Sequence, residues 1–336
     1  MRSDRAIFVS WIGFHGRSAG LARELDIECH FVDGGSGNVA RRYLRQWRET
    51  ARIVRRHRPS AVVVMQPPIV ALWSVMFATS SSVRLIGDLH TGVFTDPKWK
   101  WATGFTLNLL RRRGSAIVTG SQLAEVCRVK GVDALVLHDI VHRTSAPEGE
   151  AESAVVRELL DGGPFVLVPL AYAFDEPIPQ ILKAASIYPS VNWVLTGKAP
   201  EHIRAAAPST VIFPGYVSDS DYSRLLHAAA AVAALTAEEN TMQRAGYEAL
   251  SAGRPLVTAP TKVLRDYFST AAFYATLTTR GIADAVRTTV AEGAERSAAM
   301  KKLCEIKTQE QETAVEKLKS EFRLGSGRSV GSKYVN

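Results

Sequence analysis

The 336-residue sequence predicts an α/β protein made of two Rossmann-like domains facing each other across a cleft. Three observations predict it. Short apolar runs recur along the chain with helical patterns between them, as in parallel sheets covered on both faces. The series is interrupted once, by the Pro/Gly/Glu/Ser-rich stretch RTSAPEGEAESA (143–154), and then restarts. The length and the 46% hydrophobic content suffice for two separate cores.

Each element has its own justification. AIFVSWIG (6–13) reads as a strand, and SAGLARELD (18–26) as a helix with Ser18 at its N-cap. IECHFV (27–32) is the second strand. The stretch 39–59 is a long helix whose apolar face carries Leu44, Trp47, Ala51 and Val54 at helical spacing. AVVVMQ (61–66) is a buried strand stopped by two prolines. VRLIGDLH (83–90), AIVTGS (116–121) and ALVLHD (134–139) continue the series. After the interruption, PFVLVPLAYA (164–173), VNWVLTG (191–197), TVIFPGYV (210–217), AAVAALT (230–236) and RPLVTAP (254–260) are the strands of the second domain. A helix opened by Asp175 and Pro177 follows the first of them, and Asp219 caps a later one. The expected boundaries are 1–142, a linker over 143–154, 155–287, helices over 288–324 and a disordered tail over 325–336.

Composition narrows the function. Cys29, Cys127 and Cys304 form no CxxC pair and their odd number disfavours a disulfide framework, so a reduced, cytoplasmic setting is expected. Neither a signal peptide nor an 18-residue apolar span is evident. Residues 1–150 carry 21 Lys and Arg against 13 acids, and residues 151–336 carry 20 of each. The whole +8 excess therefore lies in the first half, which suits a negative partner surface. Arg41, Arg42, Arg45, Arg48, Arg52, Arg55 and Arg56 cover the long helix, and KWKW (98–101) precedes a second Arg cluster. Basic residues beside Trp fit an anionic membrane leaflet. A solvated basic face fits each segment as well. No helix-turn-helix or zinc pattern supports nucleic acid as the partner.

Ligands of open parallel sheets bind beyond the carboxyl ends of the strands, so candidate residues should follow strands. GFHGRS (13–18) does: Gly13, His15 and Gly16 make either a plain turn or a loop aiming a helix N-terminus at an anion. In GDLHTGVF (87–94), Asp88 and His90 stand two apart, able to act as a base or to orient a hydroxyl; a capped loop with a buried His is the alternative. Lys198 ends a strand of the second domain. Tyr216 and Val217, with Gly215, offer a flat surface and backbone groups. HExxH and P-loop patterns are absent, which disfavours the chemistries they serve.

FPGYVSDSDYSRLLHAAAAVAAL (213–235) and ENTMQRAGYEALSAGRPLVTAPTKVLRDYF (239–268) together resemble the donor half of GT-B glycosyltransferases, family 4 above all. In that family a glutamate, seven residues and a second glutamate precede small-x-Gly-x-Pro and two apolar residues. Glu248 to Val257 fits the second half. Eight residues back from Glu248 stands Asn240, with Glu239 one position further.

The resemblance implies that Glu248 accepts hydrogen bonds from the ribose, that Asn240 or Glu239 meets the sugar, and that Thr241, Met242 and Gln243 open a helix toward the diphosphate. Tyr216 and Val217 would receive the base. The family's Arg and Lys have no counterpart in PLAYAFDEPIPQ (169–180), leaving Lys198, Arg244 or Lys262 for the phosphates. The first domain's Gly13, His15 and Gly16, with Asp88 and His90, would serve the acceptor and the chemistry. The implied activity is metal- and cofactor-independent transfer, with retention, of a sugar from a nucleoside diphosphate to a hydroxyl acceptor. The acceptor would be a carbohydrate or lipid-linked molecule, and the enzyme cytoplasmic or peripheral on the inner membrane face. A sugar-nucleotide 2-epimerase and a non-catalytic nucleotide-sugar-binding protein are the alternatives.

Overall fold

The computed structural model describes residues 6–327. The chain forms two compact units, one of residues up to 140 together with those from 310 onward, the other of residues 141–309.

The first unit opens with β1 (Ala6–Ser10), α1 (Gly16–Glu24), β2 (Glu28–Phe31), α2 (Val39–His57), β3 (Ala61–Gln66) and α3 (Ile69–Ala78). It continues through β4 (Arg84–Leu89), α4 (Gly92–Thr95), α5 (Pro97–Lys100), α6 (Thr103–Arg113), β5 (Gly114–Val118), α7 (Ser121–Val129) and β6 (Ala134–Val136). All six strands pair in parallel, in the order β2-β1-β3-β4-β5-β6. The strand sequence reverses direction between β1 and β3, so this is the unit's topological switch point.

The second unit runs α8 (Ala154–Asp161), β7 (Phe165–Pro169), α9 (Ile178–Ile187), β8 (Asn192–Thr196), α10 (Glu201–Ala205), β9 (Val211–Ile212) and α11 (Asp219–Ala228). It then adds β10 (Ala231–Ala234), α12 (Arg244–Ser251), β11 (Leu256–Thr258), α13 (Lys262–Phe268), β12 (Phe273–Tyr274), α14 (Thr279–Ala291) and the start of α15 (Gly293–Gly327). Its parallel sheet has the order β12-β11-β10-β7-β8-β9, with the switch point between β7 and β10. The α/β class with two parallel sheets is as the sequence predicts.

Alternation along each strand divides the cores. Phe165 and Leu167 of β7 face one layer of helices, and Val166 and Val168 face the other. The strands therefore read as unbroken apolar runs. On β4, Leu85 and Leu89 point to the layer that holds Val54 and Leu110, and Ile86 points to the opposite layer. Gly87 between them admits Leu110, whose Cδ1 would lie 2.8 Å from any added Cβ.

Several local expectations are corrected. The first helix starts at Gly16 and its N-cap is His15, whose Nδ1 accepts from the Ser18 amide; Ser18 is instead buried inside the helix. The face α2 buries is Gln46, Thr50, Ala51 and Val54, and Leu44 is exposed. Two polar residues can be buried there because the Thr50 hydroxyl and the Gln46 amide nitrogen find partners. Thr50 accepts from Trp11 Nε1 at 2.8 Å, and Gln46 Nε2 donates to the Val32 carbonyl at 2.9 Å. The cap of α11 is Ser218, accepting from the Asp221 amide, and Asp219 is that helix's first residue.

The stretch expected as a linker belongs to the second unit. Ala151 is buried, and the Asp221 carboxylate accepts from the Glu152 and Ser153 amides at 3.0 and 2.9 Å. The helices expected from 288 are the end of α14 and all of α15. Met300 and Cys304 of α15 pack in the second unit, and Ala314, Val315, Leu318 and Phe322 pack in the first. Glu321 anchors that second part, accepting from Ser115 Oγ at 2.7 Å and from Arg84 Nη2 at 2.9 Å. Residues 325–327 of the expected tail end α15, and the rest of that tail lies outside the described residues.

Candidate active-site residues

In the first unit the candidates gather at the carboxyl ends of β1 and β4. Alternation puts Asp88 on the same face of β4 as Ile86, the face that α1 covers. In the first turn of α1, Arg17 points inward onto it. Arg17 Nη2 donates to Asp88 Oδ1 at 2.8 Å and to the Leu137 carbonyl at 2.9 Å, and Nη1 reaches Asp139 at 3.2 Å. Asp88 is fully buried and the Arg17 side chain nearly so. Burial alone would raise the Asp88 pKa, but the Arg17 guanidinium and His90 outweigh it and hold the carboxyl well below the usual carboxylate range.

His90 extends the chain of contacts outward. Its Nε2 lies 3.3 Å from Asp88 Oδ2, and its ring meets His15 edge-on with centroids 5.1 Å apart. Burial, and secondarily the neighbouring His90, lowers the His15 pKa from its ordinary value, so its imidazole is neutral at pH 7. Asp88, Arg17, His90 and His15 thus form one layered cluster with the charges innermost and two half-buried imidazoles outermost. Asp88 as the group that itself takes a proton from an acceptor does not fit its burial and its ion pair. Gly13 lies beside Asp33, and Gly16 opens α1. Arg17 and Asp139 were missed by sequence reasoning. Arg17 stands inside the GFHGRS motif, but nothing local shows that it turns inward to an acid 71 residues away.

In the second unit the candidates surround the switch point between β7 and β10. Glu248 lies on α12, the helix that follows β10. Its Oε2 accepts from Tyr222 Oη at 2.6 Å and its Oε1 from Arg244 Nε at 2.7 Å. Burial, and then the Glu248 charge, pushes the Tyr222 phenol well above its ordinary pKa, so it remains a hydrogen-bond donor. The helix itself opens at Arg244 with Gln243 as N-cap, three residues later than Thr241, where the sequence reading began it.

Glu239 and Asn240 separate in role. Glu239 Oε1 accepts from the Lys262 amide at 2.6 Å, so it caps the N-terminus of α13. Asn240 is half-buried in the turn before α12. Thr241 and Met242 are half-buried too, and Met242 packs on the core. Gln243 Nε2 approaches Glu176 Oε1 at 3.5 Å, and its own Oε1 is buried without a partner. Of the cations expected at the phosphates, Arg244 pairs with Glu248, Lys262 pairs with Asp266, and Lys198 is exposed just after β8. Tyr216 is 93% exposed beside Val217 in the loop after β9.

Glu176 is the residue here that the sequence reading passed over. Its carboxylate accepts from the Ala171 and Ala173 amides at 3.2 and 2.8 Å, across Tyr172 at φ 57°. The next acid, Asp175, accepts from Thr236 Oγ1 at 2.5 Å, tying the loop after β7 to the loop after β10. Gly197 borders them with φ 91°, and a Cβ there would meet the Leu170 carbonyl at 2.2 Å. The adjacent acids Asp175 and Glu176 in an otherwise apolar loop just after a strand were the available signal.

Residues 170–292 match the family model of the group 1 glycosyl transferases. The matched residues lie within the second unit. Its matched span contains the loops after β7 and β10, Tyr222, Asn240 and Glu248. Among solved structures, sucrose-phosphate synthase from Thermosynechococcus elongatus is similar at 12% identity, covering 97% of this chain and 100% of that one, with TM-score 0.73. Anabaena HepE in complex with UDP-glucose is similar at 14% identity, with 96% and 99% covered and TM-score 0.67. A UDP-GlcNAc 2-epimerase from Methanocaldococcus jannaschii is similar at 12% identity, with 85% and 92% covered and TM-score 0.56. These likenesses show the GT-B fold. No curated protein matches the chain.

Proposed function

We propose that this glycosyl transferase moves a sugar from a nucleoside diphosphate donor to a hydroxyl of a lipid-linked or growing-polysaccharide acceptor. The observation that carries the reading is Glu248, fixed by Tyr222 and Arg244 inside the matched donor domain. A carboxylate so held keeps lone pairs for a ribose diol. Asn240 meets the sugar, because Glu239 is committed to capping α13. The N-terminus of α12, Arg244 and Lys198 take the diphosphate, and exposed Tyr216 with Val217 takes the base.

In the reaction the bond from the sugar's anomeric carbon to the β-phosphate oxygen breaks and a bond to the acceptor oxygen forms. The α12 N-terminus and basic side chains stabilise the departing diphosphate without a metal. In the first unit His90, oriented by Asp88, and His15 hold the acceptor hydroxyl. Transfer proceeds with retention, the acceptor proton passing to the leaving phosphate oxygen. The support for this is that Asp88, among the described residues the one carboxylate paired with His90, is neutralised by Arg17 and fully buried.

The test is a thermal-shift screen of nucleotide sugars, followed by turnover of the best binder with and without acceptors in the presence of a chelator. A donor that binds the folded state raises its stability. Transfer only with acceptor, giving a product of unchanged anomeric configuration by NMR, is the expected result. Product from donor alone would identify an epimerase, and binding without turnover a non-catalytic protein.

The enzyme acts in the cytoplasm at an anionic membrane face. Among the described residues no helix is long and apolar enough to cross a membrane. The support is the surface of the first unit: Arg41, Arg45, Arg48, Arg52, Arg55 and Arg56 of α2 are exposed, as are Lys98, Lys100, Trp101 and Phe105. Exposed Phe77 stacks near Trp47, with ring centroids 5.8 Å apart. Co-sedimentation with anionic vesicles, lost with neutral vesicles and weakened at high salt, is the expected outcome. Equal recovery with both vesicle types would contradict it.

A further inference from the structure

A second constellation of ligating side chains lies in the first unit, at the amino end of its edge strand. Strand alternation puts Glu28 and His30 of β2 on one face, opposite Ile7 and Val9 of β1 in the register. That face is covered by α2, whose last residue is His57. Glu28 Oε1 lies 3.6 Å from His30 Nε2, and Glu28 Oε2 lies 3.6 Å from His57 Nδ1. The three ligand atoms fall within 4.8 Å of one another. The two imidazoles meet edge-on with centroids 4.7 Å apart.

Two features set this group apart from a chance meeting of polar side chains. His30 Nε2 is buried and makes no hydrogen bond among the described residues, although buried ring nitrogens are ordinarily satisfied. It is also aimed at the same carboxylate that faces His57. A tetrahedral zinc with bonds of about 2.0–2.1 Å holds neighbouring ligand atoms roughly 3.3 Å apart. The two 3.6 Å separations are close to that spacing before any ion draws the side chains in.

We propose that Glu28, His30 and His57 bind a divalent ion of the zinc class, with water in the fourth position. Two imidazoles and one carboxylate are a borderline donor set, suited to zinc over calcium or magnesium. The C-terminal end of α2 adds the negative end of its dipole, which favours a cation. Exposed Arg56 and Arg58 flank His57 and oppose the ion, and solvent screens them. The ion would pin the end of α2 to β2. It sits at the amino ends of the strands, whereas Asp88, His90 and His15 lie toward their carboxyl ends. Its role is therefore structural, and it is independent of the transfer reaction proposed above.

The test uses the full, tag-free chain stripped with chelator and titrated with cobalt(II), then with zinc(II). One equivalent of cobalt should bind and give the intense visible absorption of a tetrahedral site, and zinc should displace it and raise the thermal midpoint. Glu28→Gln, which alters an exposed side chain, and His57→Gln should each weaken binding at least tenfold while circular dichroism stays native. His15→Gln should leave binding intact, separating this site from the His15 and His90 pair. Absence of a stoichiometric cobalt spectrum, or binding unchanged in Glu28→Gln or His57→Gln, would overturn the proposal.

Discussion

Arg17→Met is expected to destabilise the first unit by about 3–5 kcal/mol, the usual cost of leaving a buried charge without its partner. Both side chains of the pair are almost completely buried, so solvent cannot take over the role of the guanidinium. Urea denaturation read by near-UV circular dichroism measures the loss. Asp88→Asn added to Arg17→Met should recover much of it, since the carboxamide carries no charge. Strictly additive single and double variants would show that the pair is not coupled.

The same pair sets a pH dependence whose sign can be worked out. The Asp88 pKa is lowered in the folded chain, so the unfolded chain binds the proton more readily. Stability from this group is fully present above the ordinary carboxylate pKa near 4 and is lost as pH falls toward the depressed folded value. Wild-type protein should therefore lose stability between about pH 4 and more acidic conditions more steeply than Asp88→Asn. Parallel acid profiles for the two would be the contrary result.

Glu248→Ala is expected to weaken donor binding by roughly ten- to a hundredfold, from the loss of about 1.5–3 kcal/mol of hydrogen bonding to a charged acceptor. Calorimetric titration with the donor found in the thermal-shift screen measures it directly. Glu248→Gln keeps the shape and one acceptor oxygen and should fall between wild type and Glu248→Ala. Tyr222→Phe removes one of the two groups holding the carboxylate and should cost less than either, because Arg244 remains at 2.7 Å. Unchanged donor affinity and unchanged turnover in Glu248→Ala would remove Glu248 from the site.

The two sheets were legible because buried parallel strands have a strong local signature. AVVVMQ at 61–66 coincides with β3, for example, as all its residues are buried. Element ends were less legible. His15 takes the capping position expected of Ser18, because its imidazole nitrogen can accept the same amide hydrogen bond. On α2, Leu44 looked like core and Gln46 and Thr50 did not. The order inverts because Trp11 and Val32, distant in sequence, supply hydrogen bonds to the polar pair. In the second unit, Glu248 stood out through its order relative to the Gly-x-Pro strand opening. That Glu239 is engaged by the Lys262 amide, 23 residues away, was not visible in the local sequence.

The sequence by itself determined the two parallel α/β units, the +8 asymmetry and the neighbourhood of Asp88, His90 and Glu248. Those properties rest on periodicity, composition and short spacings, which a linear chain displays. Only the tertiary structure decided that Arg17 buries itself against Asp88, that Glu176 fills the amides of its own loop, and that His30 and His57 converge on Glu28. Each depends on side-chain direction within a folded layer. A strand's alternation or a helix's turn sends the group to one face, and the partner that meets it there comes from elsewhere in the chain.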